Sequence, residues 1–205
     1  PDHAEAHSKI GIAYDKSGMH KEAIEALKQA IRIKPDYTLA HYNLGIAYDN
    51  SGMYKEAIEA FKQAIRIIPD YTLAHYNLGI AYDESGMHKE AIEAYKKVIR
   101  IKPEFEEAHF NLGIAYGKSG MFKEQIEAYK QAIRIKPDDE EAHSNLGIAY
   151  GKSCMFKEEI EAYRQAIRIK PDYEEAHFNL GIAYGKSGMH KEAIEALKQA
   201  IRIKP

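Results

Sequence analysis

The sequence predicts an all-α fold, a solenoid of six helix-turn-helix hairpins, on three observations. Prolines fall only at Pro1, Pro35, Pro69, Pro103, Pro137, Pro171 and Pro205, a spacing of 34 residues. Between them one phrase returns, typified by Ala40-His41-Tyr42-Asn43-Leu44-Gly45-Ile46-Ala47-Tyr48 and Lys55-Glu56-Ala57-Ile58-Glu59-Ala60-Phe61. Within each phrase the apolar residues recur at helical spacing. A strict period in this range marks tandem units that stack on their neighbours and have no single central core. The chain of 205 residues therefore reads as one array, with repeats at 4–37, 38–71, 72–105, 106–139, 140–173 and 174–205.

Each repeat divides into two helices. In the second, Ala40, Leu44, Ala47 and Tyr48 lie at i, i+4, i+7 and i+8 along one face of helix A. After Ser51-Gly52, the residues Ala57, Ile58, Phe61, Ala64 and Ile65 form the stripe of helix B. Gly52 suits a helix C-terminus because it takes a positive φ without a Cβ clash, and Pro69 stops helix B. Asp138 with Glu141, and Asp172 with Glu175, have the spacing of capping boxes at the start of helix A. Small residues Gly45, Ala47, Ala57 and Ala64 let the paired helices approach within ~8 to 10 Å, as an antiparallel hairpin.

Composition narrows the function. The 29 basic and 31 acidic residues are mixed along every repeat, with no basic block to track phosphates, so nucleic acid is not an expected partner. A lone cysteine, Cys154, excludes an intramolecular disulfide and points to a reducing, cytoplasmic setting. No apolar run approaches the roughly 18 residues that span a bilayer, so no membrane association is expected. The opening Pro1-Asp2-His3 is not signal-like, and the missing initiator Met reads as a piece of a longer array.

These residues resemble the tetratricopeptide repeat over the whole chain. The signature stands at His41, Leu44-Gly45, Tyr48, Ala57, Phe61 and Pro69, with His in place of the usual Trp, and recurs in all six copies with limited variation. The resemblance implies a right-handed superhelix whose helices A line a concave groove. Among such proteins, the Ala-His-x-Asn-Leu-Gly phrasing is most similar to the array of the O-linked N-acetylglucosamine transferases, although no glycosyltransferase domain accompanies it here. The function implied is a non-enzymatic scaffold that binds an extended peptide or a partner's helix in the groove.

Helix A carries a second stripe distinct from its packing residues: Leu39, Tyr42, Asn43, Ile46, Asp49 and Asn50. An isoleucine column runs through Ile12, Ile46, Ile80, Ile114, Ile148 and Ile182, and reads equally well as groove lining or as packing between neighbouring helices A. Beside it run Tyr42, Tyr76, Phe110 and Phe178, interrupted by Ser8 and Ser144. The resemblance implies that Asn43, Asn77, Asn111, Asn145 and Asn179 grip a ligand's main chain; Lys9 breaks that ladder in the first repeat. Polarity changes along the chain: Asp15, Asp49 and Asp83, with Leu39 and Leu73, give way to Gly117, Gly151 and Gly185 followed by Lys118, Lys152 and Lys186. The expected ligand turns basic and apolar residues towards repeats two and three.

No cofactor, metal or catalytic site is expected. Gly113 to Ser119 imitates a phosphate-binding loop, yet three residues separate its glycines where four are needed, and it closes a helix. The column of His7, His41, His75, His109, His143 and His177 spaces its imidazoles too widely for one ion, and reads as packing. Three residues depart from the repeat. Gln125 and Glu159 replace the alanine at which helices cross, so their side chains should snorkel outward or splay the hairpins. Cys154 stands where five repeats have glycine. Finally, residues 17–35 and 187–205 are identical, so Ile194, Leu197 and Ile201 should be left open to stack on another copy's first repeat, head to tail. A structural or self-assembling module, or a consensus-like array without a dedicated ligand, is the alternative reading; a substrate-binding arm of a larger transferase is a third.

Overall fold

A computed structural model describes residues 3–204; Pro1, Asp2 and Pro205, including both end marks of the proline ruler, lie outside the described residues. The described chain holds twelve helices: α1 (His3–Lys16), α2 (His20–Ile33), α3 (Thr38–Asn50), α4 (Tyr54–Ile67), α5 (Thr72–Glu84), α6 (His88–Ile101), α7 (Glu106–Lys118), α8 (Phe122–Ile135), α9 (Glu140–Lys152), α10 (Phe156–Ile169), α11 (Glu174–Lys186) and α12 (His190–Ile203). Odd-numbered helices are the A helices and even-numbered ones the B helices. They form two compact units, Pro1–Pro103 and Glu104–Pro205. In each, a helix packs on its hairpin partner and each hairpin's B helix packs on the next A helix, as a solenoid requires.

Close approach within the hairpin depends on one glycine in helix A. A Cβ on Gly45 would fall 2.5 Å from the Phe61 ring, and one on Gly147 would fall 2.7 Å from Tyr163. The glycine is thus a slot for the large B-helix side chain, which is why Phe61 and Tyr163 are almost wholly buried in helices otherwise built on alanine. In the first and last hairpins Leu27 and Leu197 fill the corresponding slots at Gly11 and Gly181.

The A-to-B turn is equally economical. Ser51 ends α3, Gly52 adopts φ 70°, and the Gly52 and Met53 N–H groups donate to Asp49 O and Tyr48 O, both at 2.9 Å. This is a Schellman closure, and the left-handed residue in it is glycine in five hairpins. Cys154 takes the same place at φ 59° with the same hydrogen bonds, so the fold is kept and the strain is borne by the residue.

The B-to-A connection is pinned by the histidine column. The Nε2–H of His41 donates to the Pro35 carbonyl at 2.8 Å, and His75, His143 and His177 do the same to Pro69, Pro137 and Pro171 at 2.8 to 3.0 Å. One expectation fails at this turn. Asp138 and Asp172 do not cap the helices that follow: Asp139 is the N-cap of α9, its carboxylate accepting from the Ala142 N–H at 2.9 Å, and Tyr173 precedes α11 without a side-chain cap. The Pro-Asp pair is consumed by the turn, which moves the helix start one residue on.

Two substitutions test this account by thermal unfolding. Gly147→Ala drives a Cβ into Tyr163 and should cost about 1 to 3 kcal/mol. Cys154→Gly relieves the left-handed Cβ and should gain about 1 kcal/mol.

Candidate functional site

The second stripe of the A helices splits into residues already engaged in packing and residues still free to act. Tyr42 packs within 6.0 Å of Phe61 and 5.0 Å of Tyr71, Tyr76 within 6.0 Å of Tyr95, and Phe110 within 5.6 Å of Tyr129, measured between ring centroids. Ile46, Ile114 and Ile148 pack half-buried against the cores of neighbouring hairpins, and Ile80 is half-buried. Leu39 and Leu73 are exposed, as is Phe178. The aromatic and isoleucine columns are therefore mainly packing, with their edges showing.

The asparagine ladder divides in the same way. Asn43 Nδ2 donates to its own helix at Leu39 O, 2.7 Å away, and Asn77 Nδ2 donates to the Tyr42 hydroxyl at 2.9 Å. Asn145 and Asn179 are half-buried and make no side-chain hydrogen bond, while Asn111 is half-buried. The ladder's free amides are thus in α9 and α11.

The mouth of each hairpin, where the last turn of helix A meets the first of helix B, is solved differently from copy to copy. In the first, Asp15 accepts from His20 Nδ1 at 2.8 Å and from Asn50 of the next repeat at 3.0 Å. In the third, Asp83 accepts from His88 Nδ1 at 2.7 Å. The second has Tyr54 in place of the His and Glu84 in place of the Asn. Asp49 Oδ1 is left buried with no hydrogen bond, and burial together with the Glu84 carboxylate raises its pKa above the usual aspartate range.

The fourth and fifth hairpins answer the puzzle of Gln125 and Glu159. Neither side chain snorkels, and neither hairpin splays. Both are buried, at 5% and 3% exposure, because they fill the space vacated at Gly117 and Gly151. The change from Asp to Gly in helix A and the change from Ala to Gln or Glu in helix B are one exchange of volume across the same contact. The sequence holds that signal, since the two columns change together in these copies, but it shows only once the columns are known to face each other. Glu159 is held by Lys186 at 3.6 Å, and its Oε2 has no partner. Lys118 and Lys152 are exposed at the ends of α7 and α9, with Lys152 Nζ 5.7 Å from the Phe122 ring.

Sequence reasoning missed a set of open clefts between B helices of neighbouring repeats. One, of about 600 Å³, is walled by Ile31, Leu44, Tyr48 and Ala60, and another of about 490 Å³ by Ile167, Leu180, Tyr184 and Ala196. Their rims mix lysines, arginines and glutamates, so they carry no charge preference. Among the described residues no three His, Cys, Asp or Glu side chains gather as a metal site, and no helix is long and apolar enough to cross a membrane. On α12, Ile194 and Ile201 are 54% and 65% exposed, whereas Leu197 is half-buried over Gly181 and so mostly belongs to its own hairpin.

A family model described as a TPR repeat matches residues 16–52, 84–120, 121–153 and 157–188, and another, described as the tetratricopeptide repeat, matches 38–71 and 174–205. The chain is similar to the crystal structure of MamA, at 28% identity and a TM-score of 0.76, over 78% of this chain and 94% of that one. It shares its fold with MamA from Desulfovibrio magneticus RS-1 (24% identity, TM-score 0.79, covering 84% and 98%). YrrB, described as a TPR protein with an unusual peptide-binding site, also has this fold (22% identity, TM-score 0.76, covering 89% and 94%). None of the curated proteins matches the sequence.

Glu159 gives the site a pH signature. Burial raises its pKa above the ordinary 4.5, against the opposing pull of Lys186. A raised folded-state value means that protonation favours the fold: this stabilisation is full below the unfolded pKa and is lost as pH rises through the folded one. Glu159→Gln, which forfeits only a half-exposed ion pair, should melt higher than the parent at about pH 7, with the gap closing towards about pH 4. A gap that does not vary with pH would place the charge outside the notch.

Proposed function

The chain belongs to the tetratricopeptide repeat family of helical interaction scaffolds, and from that premise we propose that its A-helix faces bind an extended peptide or a partner's helix. The observation that carries this reading is Asp49. Its equivalent in the first repeat is satisfied twice over, by His20 and Asn50, whereas Asp49 keeps a buried oxygen without a donor and faces the carboxylate of Glu84. An orphaned acceptor beside a second acid costs stability unless something arrives to pair with it. A lysine or arginine side chain supplies both the missing donor and the missing charge. Exposed Leu39 and Leu73, on the same faces of α3 and α5, supply apolar contact, which gives a basic and apolar ligand segment opposite the Asp49 and Asp83 repeats. In α9 and α11 the free amides of Asn145 and Asn179 offer a donor and an acceptor each to a main chain, next to Phe110, Phe178 and the lysines Lys118 and Lys152.

Self-association has its own supporting observation. The α12 sequence repeats that of α2, in which Ile24 is 7% exposed beneath α3; in α12 the same residue, Ile194, is 54% exposed. The α1 residue matching Leu44 is Ile10, also exposed at 47%. A second copy docking α1 onto α12 repeats a contact the chain already makes.

Fluorescence titration with lysine-rich, leucine-containing peptides and their glutamate counterparts tests the first reading. The lysine peptides should bind, Asp49→Asn should weaken them about tenfold, and Asn145→Ala with Asn179→Ala should weaken both series alike. Equal binding of both charge types to the parent protein rejects the Asp49 argument. For self-association, sedimentation should show mass rising with concentration, and Ile194→Glu with Ile201→Glu should abolish the rise; a concentration-independent monomer sinks that reading.

A further inference from the structure

The last hairpin inverts the defect of the second. Where Asp49 is an acid without its histidine, His190 is a histidine without its acid. His190 holds the place of His20 and His88, each of which donates from Nδ1 to an aspartate that is only 14% and 12% exposed. The matching helix-A residue here is Gly185.

The space that the aspartate occupies elsewhere is left unfilled. A Cβ on Gly185 would meet no atom within 4 Å, in contrast to Gly117 and Gly151, whose notches are filled by Gln125 and Glu159. The residue facing Gly185 is Ala193, which is too small to fill it. Ala193 is 8% exposed, while Ala23, Ala57 and Ala91, which lie under an aspartate, are 0% exposed. Three hairpins carry glycine at this place, and only this one leaves the space unfilled; it is also the one of the three with a histidine, since Phe122 and Phe156 hold that column in the others. Lys186, the next residue along α11, has its ammonium 3.6 Å from Glu159 of the preceding repeat, so it is already paired and His190 is left as the donor for this position.

We propose that the open position at Gly185, beside the exposed His190 and above Ala193 in the repeat register, is a receptor for one ligand carboxylate. The carboxylate takes the position that Asp15 and Asp83 hold in their own hairpins and accepts the His190 Nδ1–H. An amine does not serve, because it brings no acceptor, and an amide carbonyl brings a neutral one that is weaker towards the Nδ1–H than a carboxylate. On the reading that a peptide lies along α11, the natural carrier is an aspartate or glutamate side chain. The site would then fix ligand register at the last repeat.

The test uses the full chain and follows the histidine ring resonances by NMR. Sodium acetate is titrated against sodium chloride at matched ionic strength. The His190 ring should shift saturably, while His20 and His88, already holding Asp15 and Asp83, should not. Gly185→Asp and Ala193→Gln import the solutions of other repeats, so both should fold, and either should weaken the acetate response at least about tenfold. A short acetylated peptide amide bearing one glutamate, compared with its glutamine twin, separates free carboxylate from peptide. Tighter binding of the glutamate peptide than of acetate supports both the notch and the groove. Equal binding supports the notch alone and removes the groove from this repeat. A His190 response no larger than that of His3, or one that persists in both variants, overturns the proposal.

Discussion

Everything in this chain depends on how closely helix A can approach helix B. At Gly45 and its counterparts the missing Cβ admits a phenyl, phenol or isobutyl group from the opposite helix, and the hairpin closes over it. That single contact sets the tilt and spacing of the pair, and therefore which residues of helix A turn inward and which remain on the second stripe. The alanines that surround it are consequences: at the distance it imposes, larger residues fit only where the facing helix gives up volume. The fully buried Ala23, Ala57 and Ala91 follow from it, and so does the exchange at Gly117 with Gln125. A hairpin so closed still leaves one side of helix B apolar. Stacking of the next hairpin buries Ile24 and Ile58, and this is why the unit propagates.

Much of the architecture was legible because periodicity is insensitive to detail. The prolines and the recurring glycines mark helix ends through backbone geometry, and the Schellman turn at Gly52 shows the expected punctuation. The start of helix A was misplaced by one residue because a capping box is a spacing rule: only Asp138 has a glutamate three residues on, yet Asp139, with Ala142 at that spacing, is the residue that caps. Which acid caps depends on how many residues the preceding proline turn consumes, and that is a matter of three-dimensional closure.

The candidate site was legible only in outline. Helical spacing placed Tyr42, Asn43 and Ile46 on one stripe, but spacing cannot say which side of a stripe the neighbouring repeat covers. Asn43 and Asn77 proved to be engaged within the protein while Asn145 and Asn179 are not, although all sit in the same column. The difference is made by neighbours: Asn77 follows a repeat with Tyr42, whose hydroxyl it reaches, whereas Asn179 follows one with Ser144, which is too short to be reached. The buried Glu159 was misjudged for a related reason. Read alone it is a costly charge at a crossing point; read with Gly151 it occupies a space cut to its size.

In a repeat protein whose copies are this similar, the invariant columns are poor places to look for recognition. A column that is the same in every copy is explained by the contact that every copy makes, and the tyrosines and isoleucines of the second stripe largely are. Specific affinity for a partner requires groups whose hydrogen-bonding or charge demands the array leaves unmet, because those groups gain most when a ligand arrives. Repeat symmetry makes such groups identifiable: each copy shows what a residue needs, and a copy that lacks it stands out. By that criterion the orphaned oxygen of Asp49 and the unfilled notch at Gly185 rank above any invariant position, since in both cases another repeat of the same chain displays the missing partner in place.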